Sequence, residues 1–168
     1  MRPRLDRCDR LAYQGAMNTP QTAAPQNEAG FELHAQLAAD CRTIADAPLS
    51  RLLLLDDAQY PWFVLVPRRA GIREIYELAE ADQLQLLRES VALGRALMRA
   101  YGGDKLNVAA LGNMVPQLHL HHIVRYAGDA AWPAPVWGRH PARPYAEAQR
   151  QHRLQMLRPL LDGDWRWT

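Results

Sequence analysis

The chain has 168 residues, a formal net charge of +2, 48% hydrophobic and 23% charged residues, which suits one globular domain whose core needs no covalent staples. Its 20 Lys and Arg residues, all but Lys105 being Arg, are scattered along the chain, so the clustered basic face of a dedicated nucleic-acid binder is excluded. No apolar run approaches the roughly 18 residues of a membrane span, and the basic start Met1–Arg7 leads into no apolar signal segment, so the expected location is cytoplasmic.

Residues 1–28 hold few large apolar side chains and are expected to form a disordered tail, with Met17 as a second candidate start. Residues 29–168 then make a single domain. Phe31, Leu33, Leu37, Cys41 and Ile44 recur at near-helical spacing and predict a helix over 31–44, closed by Pro48. Cys41 reads as a small buried apolar residue, and with Cys8 it forms neither a metal-like pair nor a disulfide framework. Two short apolar runs, 51–57 and 62–67, flank Ala58-Gln59-Tyr60-Pro61 and predict a hairpin. Leu84, Leu87, Val91, Ala92, Leu97, Met98 and Tyr101 predict a long helix from about Asp82, stopped by Gly102-Gly103.

Further strands are expected at 105–110 and 117–125, joined by the loop Leu111-Gly112-Asn113-Met114-Val115-Pro116. The stretch 132–138 is proline-stiffened and irregular. An Arg-rich helix over about 145–161 follows it. Hairpin strands with helices grouped between them predict an α+β fold, an antiparallel sheet with helices packed on it.

The strand over 117–125 carries the chemistry. Side chains alternate across a strand, so Gln117, His119 and His121 share one face while Leu118, Leu120 and Val124 anchor the other. Two imidazoles and a carboxamide on one pleat, after a Gly-Asn loop, point to a functional site. His122 falls on the packed face and reads as a hydrogen-bonded core histidine. Asn113 fits a turn as well as a phosphate contact. Trp132, Pro133, Pro135 and Trp137 read as a packing cluster ahead of a base pocket.

Gln117-Leu118-His119-Leu120-His121-His122-Ile123 resembles the His-φ-His-φ-His-φ-φ signature of the histidine triad (HIT) superfamily of nucleotide hydrolases and transferases, with Gln in the first position. The strand at Leu106-Asn107, the Gly112 loop and the Val66-Pro67-Arg68 strand end share that resemblance, which spans about residues 31–126. The segment 129–138 is similar to a bacterial HIT-like subgroup with Gln at the first position. The resemblance implies that His119 attacks the α-phosphorus of a nucleoside phosphate ester, anhydride or phosphoramidate. Free imidazole, with a pKa near 6.5, is neutral and nucleophilic at pH 7. It implies that His121 and backbone N–H groups at Gly112 and Asn113 bind the non-bridging oxygens. It also implies that Asn107 lies near the phosphate and Asp56 near the ribose hydroxyls, with no cofactor or metal and a homodimeric assembly.

Two departures stand out. Trp62 occupies a place where the family often has histidine, and Arg68, Arg69 and Ala70 replace a segment that often holds another. Gln117 forms hydrogen bonds through both side-chain atoms but carries no titrating proton. Two other readings stay open at this point. One is a nucleotide-binding protein with little or no turnover. The other is a zinc-dependent hydrolase using His119 and His121, for which the sequence offers no third ligand.

Overall fold

The computed structural model describes residues 30–161 and 163–168; the tail expected over 1–28 lies outside them. The elements are α1 (Ala35–Asp40), β1 (Cys41–Asp46), β2 (Ser50–Leu55), β3 (Trp62–Pro67), α2 (Glu80–Tyr101), β4 (Lys105–Ala110), β5 (Leu120–Arg125), α3 (Glu147–Leu157) and β6 (Arg166–Trp167). All neighbouring strands pair antiparallel in the order β4-β5-β3-β2-β1-β6. This is the α+β architecture that the hairpin pattern predicts. Among the described residues no helix is long and apolar enough to cross a membrane.

The helix expected over 31–44 is corrected to a six-residue α1 followed by a strand. Cys41 already has extended backbone, φ −129° and ψ 163°, and Cys41–Asp46 pairs with β2, with a bulge between Thr43 and Ala45. β-Branched Thr43 and Ile44 favour a strand. The spacing Leu37, Cys41, Ile44 does not separate the two periods over so few residues. The tight β1–β2 turn is held from other elements. The buried Glu89 carboxylate on α2 accepts from Leu49 N–H at 2.7 Å and Ser50 N–H at 3.0 Å. The buried Arg68 guanidinium donates to the Ala47, Pro48 and Ser50 carbonyls.

Both faces of the sheet are covered, which is why β3 is buried at every position and its sequence runs apolar without alternation. On one face Leu52, Leu54, Phe63, Leu65, Leu118, Leu120 and Val124 pack with Leu86, Leu93 and Leu97 of α2 and Leu157 of α3. On the other, Leu53, Trp62, Val64, Val66 and Ile123 pack with Leu37 of α1 and with Val115, Ala131 and Val136. The histidine face belongs to this second layer, so it is roofed by α1 and the irregular segment 127–146. α2 ends as expected at Gly102, in the left-handed conformation at φ 60°, which glycine adopts at least cost. At Gly103 a Cβ would stand 2.2 Å from Val124 Cγ1. The chain can turn into β4 this close to β5 only without a side chain there.

Candidate active site

The ladder of β5 starts at Leu120 and not at Gln117. Residues 117–119 approach it as extended chain, with Leu118 N–H bonded to the Ile72 carbonyl at 2.9 Å. Alternation nevertheless holds across the junction. His119 and His121 share a face, their ring centroids 4.8 Å apart and edge-on. Both are buried.

Their hydrogen bonds set them in opposite tautomers. His119 Nδ1 lies 2.7 Å from the carbonyl oxygen of Gln117. A carbonyl only accepts, so Nδ1 carries the proton and Nε2 keeps the lone pair. His121 Nδ1 accepts at 2.9 Å from the indole N–H of Trp62, which only donates, so in His121 the proton sits on Nε2. One strand thus presents a basic nitrogen beside a donor N–H. Trp137 closes the cluster, its ring 5.4 Å from both Trp62 and His121. Burial, then the repulsion that a cation here would meet from His119 and His122 in their charged forms, keeps His121 neutral, its pKa pulled down to about 3.

His122 points to the other face. It is fully buried, its Nδ1–H donates to Leu120 O at 3.2 Å and its Nε2 accepts from the Ser90 hydroxyl of α2 at 2.7 Å. Burial lowers its pKa to about 4. It is a neutral core histidine, as the alternation predicts.

His119 lines a cavity of about 320 Å³ together with Gly112, Asn113, Gln117 and Arg73. The structure therefore brings together the imidazole and the loop that the sequence singles out. Gln117 touches this cavity, but its carboxamide is committed elsewhere. Its Oε1 accepts from His34 N–H at 2.9 Å and its Nε2 donates to Glu32 O at 2.8 Å. Its link to His119 runs through the backbone carbonyl.

Asn107 pairs with Ile123 in the ladder, two positions beyond the Ala109–His121 pair. Its Oδ1 accepts at 2.9 Å from Arg125, a fully buried guanidinium that also grips Asp129 at 2.7 and 2.8 Å.

Asp56 lines a second cavity, of about 460 Å³, with Asp40, Tyr60, Trp62, Trp137 and His140. One of its oxygens accepts from Tyr145 N–H at 2.9 Å. Among the described residues the buried Tyr60 hydroxyl and Trp137 indole N–H have no hydrogen-bond partner. Both residues line this cavity. Cys41, next to Asp40, is buried as expected; burial first, then the Asp40 and Asp56 charges, push its thiol up to about 12.

Sequence reasoning finds the two histidines and the Gly112 loop but leaves Trp62 as a mere departure. The available signal was chemical: one N–H-bearing ring stands where the family often has another. Nothing in the sequence marks Arg73, and Arg125–Asp129 becomes visible only when the fold closes 127–146 over the sheet. Among the described residues no group of three or more His, Cys, Asp or Glu side chains is placed to hold a metal.

Comparison with known proteins bears on the family and the fold. The family model described as HIT domain matches residues 36–128. A histidine triad protein from Marinobacter aquaeolei is 57% identical over 78% of this chain and 96% of that one, with a TM-score of 0.76. One from Bradyrhizobium japonicum is 46% identical over 79% and 98%, with a TM-score of 0.77. One from Sinorhizobium meliloti is 38% identical over 80% and 100%, with a TM-score of 0.78. No curated protein matches the chain.

Proposed function

The chain belongs to the histidine triad family, and from that premise we propose that it is a nucleotide phosphohydrolase or nucleotidyl transferase working through a covalent intermediate on His119. Membership supports a nucleotide-binding or hydrolase/transferase role. The finer reading rests on the His119 tautomer. With Nδ1–H held by the Gln117 carbonyl, Nε2 is the basic nitrogen of a residue that shares its cavity with the Gly112–Asn113 loop.

In the first step Nε2 of His119 attacks the α-phosphorus. A P–N bond forms as the bond to the leaving group breaks, and the leaving group departs with that electron pair. In the second step water attacks the same phosphorus, the P–N electron pair returns to Nε2, the water's proton is released to solvent and neutral His119 is restored. Charge builds on the non-bridging oxygens in both steps. In this reading the donors to that charge are Nε2–H of His121, whose ring lies 4.8 Å from that of His119, and backbone N–H groups at Gly112 and Asn113, and one such donor is typically worth about 10²–10³ in rate. The second cavity, bounded by the Trp62 and Trp137 rings that pack on His121, suits the nucleoside. Asp56 accepts from ribose hydroxyls, and the unpaired Tyr60 O–H and Trp137 N–H offer donors to a polar base.

Gln117 serves through its carbonyl, and Asn107 serves by fixing Arg125. No step calls for a metal. Both Nδ1 atoms are already engaged, which leaves a zinc reading only two Nε2 ligands.

The test is to incubate the protein with a panel of adenosine and guanosine polyphosphates and phosphoramidates, with and without exhaustive chelation. Release of nucleoside monophosphate that survives chelation is the expected result. Activity lost on chelation and restored by stoichiometric zinc would replace this reading with the metal site. Nucleotide binding without turnover would replace it with a binding module.

A further inference from the structure

The two active-site imidazoles are chemically identical and 4.8 Å apart, yet the proposed reaction gives them opposite tasks. Something outside the strand must tell them apart. For His119 it is the chain's own carbonyl two residues back. For His121 the ring nitrogen that would otherwise be free to exchange its proton meets Trp62, at the start of β3, from 59 residues earlier in the sequence.

We propose that Trp62 is a positioning residue that fixes His121 as an Nε2–H donor to the transferring phosphoryl group. The inference rests on the reading of His121 as an oxygen-binding group. An indole N–H has no acceptor capacity, so the 2.9 Å bond has a single polarity. It consumes the His121 lone pair at Nδ1, which removes His121 as a rival nucleophile and leaves its only proton on Nε2.

Protonating His121 would set N–H against N–H, so the same bond disfavours the cation. The other neighbours act the same way. His119 and His122 on its own strand are the titratable groups bearing on it. The residues paired with it are Val64 of β3 and Ala109 of β4, and Trp137 covers it from the segment 127–146; none of these titrates. The Nε2–H donor of His121 is therefore kept in the neutral ring down to low pH. The ring contacts among Trp62, Trp137 and His121 hold the indole in place, and Trp62 itself is buried.

The experiment uses the full-length protein labelled with ¹⁵N-histidine, with His121 assigned against His121→Asn. Long-range ¹H–¹⁵N correlation reads which ring nitrogen carries each proton. Wild type is expected to show His121 as Nε2–H from pH 5 to 9, and His119, in its neutral form, as Nδ1–H. In Trp62→Phe, which keeps an aromatic ring but loses the N–H, His121 should become a tautomer mixture and titrate at a higher pH. The rate constant kcat should fall about 10–100-fold, the range known for partners that orient metal-bound imidazoles, with KM little changed.

A wild-type His121 in the Nδ1–H form, or one that titrates near pH 6.5, would overturn the inference even if Trp62→Phe failed to fold. So would a folded Trp62→Phe with unchanged tautomer and rate. Absence of turnover in wild type with the expected tautomers would remove the hydrolase reading and leave the Trp62 lock standing.

Discussion

His121 and His122 are buried bases that stay neutral in the fold, with pKa values of about 3 and about 4. In the unfolded chain an imidazole titrates near 6.5. Between about pH 6.5 and 4 the unfolded chain therefore binds protons that the folded chain excludes. Stability is full above that window and falls as pH drops through it. Each group contributes about 1.4 kcal/mol per pH unit, so urea unfolding should lose roughly 2–3 kcal/mol per unit near pH 5. His122→Leu should make that slope shallower by about half. A flat profile between pH 5 and 7 would contradict the neutral pair. Gln117→Ala gives a second test at this scale. Because the carbonyl and not the carboxamide holds His119, kcat should change by less than about threefold, while loss of the bonds to Glu32 and His34 costs about 1 kcal/mol of stability. The placement of His119 and His121 on one face was legible, because a period of two leaves no freedom once the strand is assigned. Their tautomers were not, since the deciding partner of His121 lies on another strand.

Among the elements, the segment 127–146 has little regular structure yet roofs the site. Its anchor is the Arg125–Asp129 pair, with side-chain exposures of 1% and 8%. The Arg125 guanidinium also lies over the Tyr60 and Trp132 rings. The pair holds the Asp129 carboxyl below its ordinary range, chiefly through the hydrogen bonds from Arg125. Asp129→Ala leaves a buried guanidinium without its carboxylate and should cost of order 3 kcal/mol in chemical denaturation. It should also loosen Trp137, seen as a change in tryptophan fluorescence; unchanged stability would show that the pair does not anchor the segment. The hairpin, the long helix and the glycine stop were legible from pattern alone. β1 was hidden inside a helical spacing because its pairing with β2 outweighs a few local residues. β6 at Arg166–Trp167 was missed because two residues carry no period, and only Ala45 and Asp46 define it.

At the scale of the whole molecule, β4 ends the sheet, its outer side unpaired among the described residues. Unprotected edges invite another chain. Val108 is 49% exposed, and Leu84, Leu87 and Val91 on α2 are 49%, 60% and 44% exposed. Of the helical positions that carried the periodic signal, Leu97 enters the core, while Leu84, Leu87 and Val91 stay exposed and Leu86 and Leu93 are buried instead. We expect a twofold dimer through this edge, the commonest closed assembly. Sedimentation should give twice 19.1 kDa, with Leu87→Glu shifting it toward monomer; a wild-type monomer at micromolar concentration would contradict this. The central claim, that His119 bonds covalently to phosphorus, has its own direct measurement. Protein quenched during turnover should gain, by intact mass, one nucleoside monophosphate less water, mapped by peptide analysis to His119, and His119→Ala should show neither adduct nor product. An adduct on another residue, or full turnover in His119→Ala, would contradict the account.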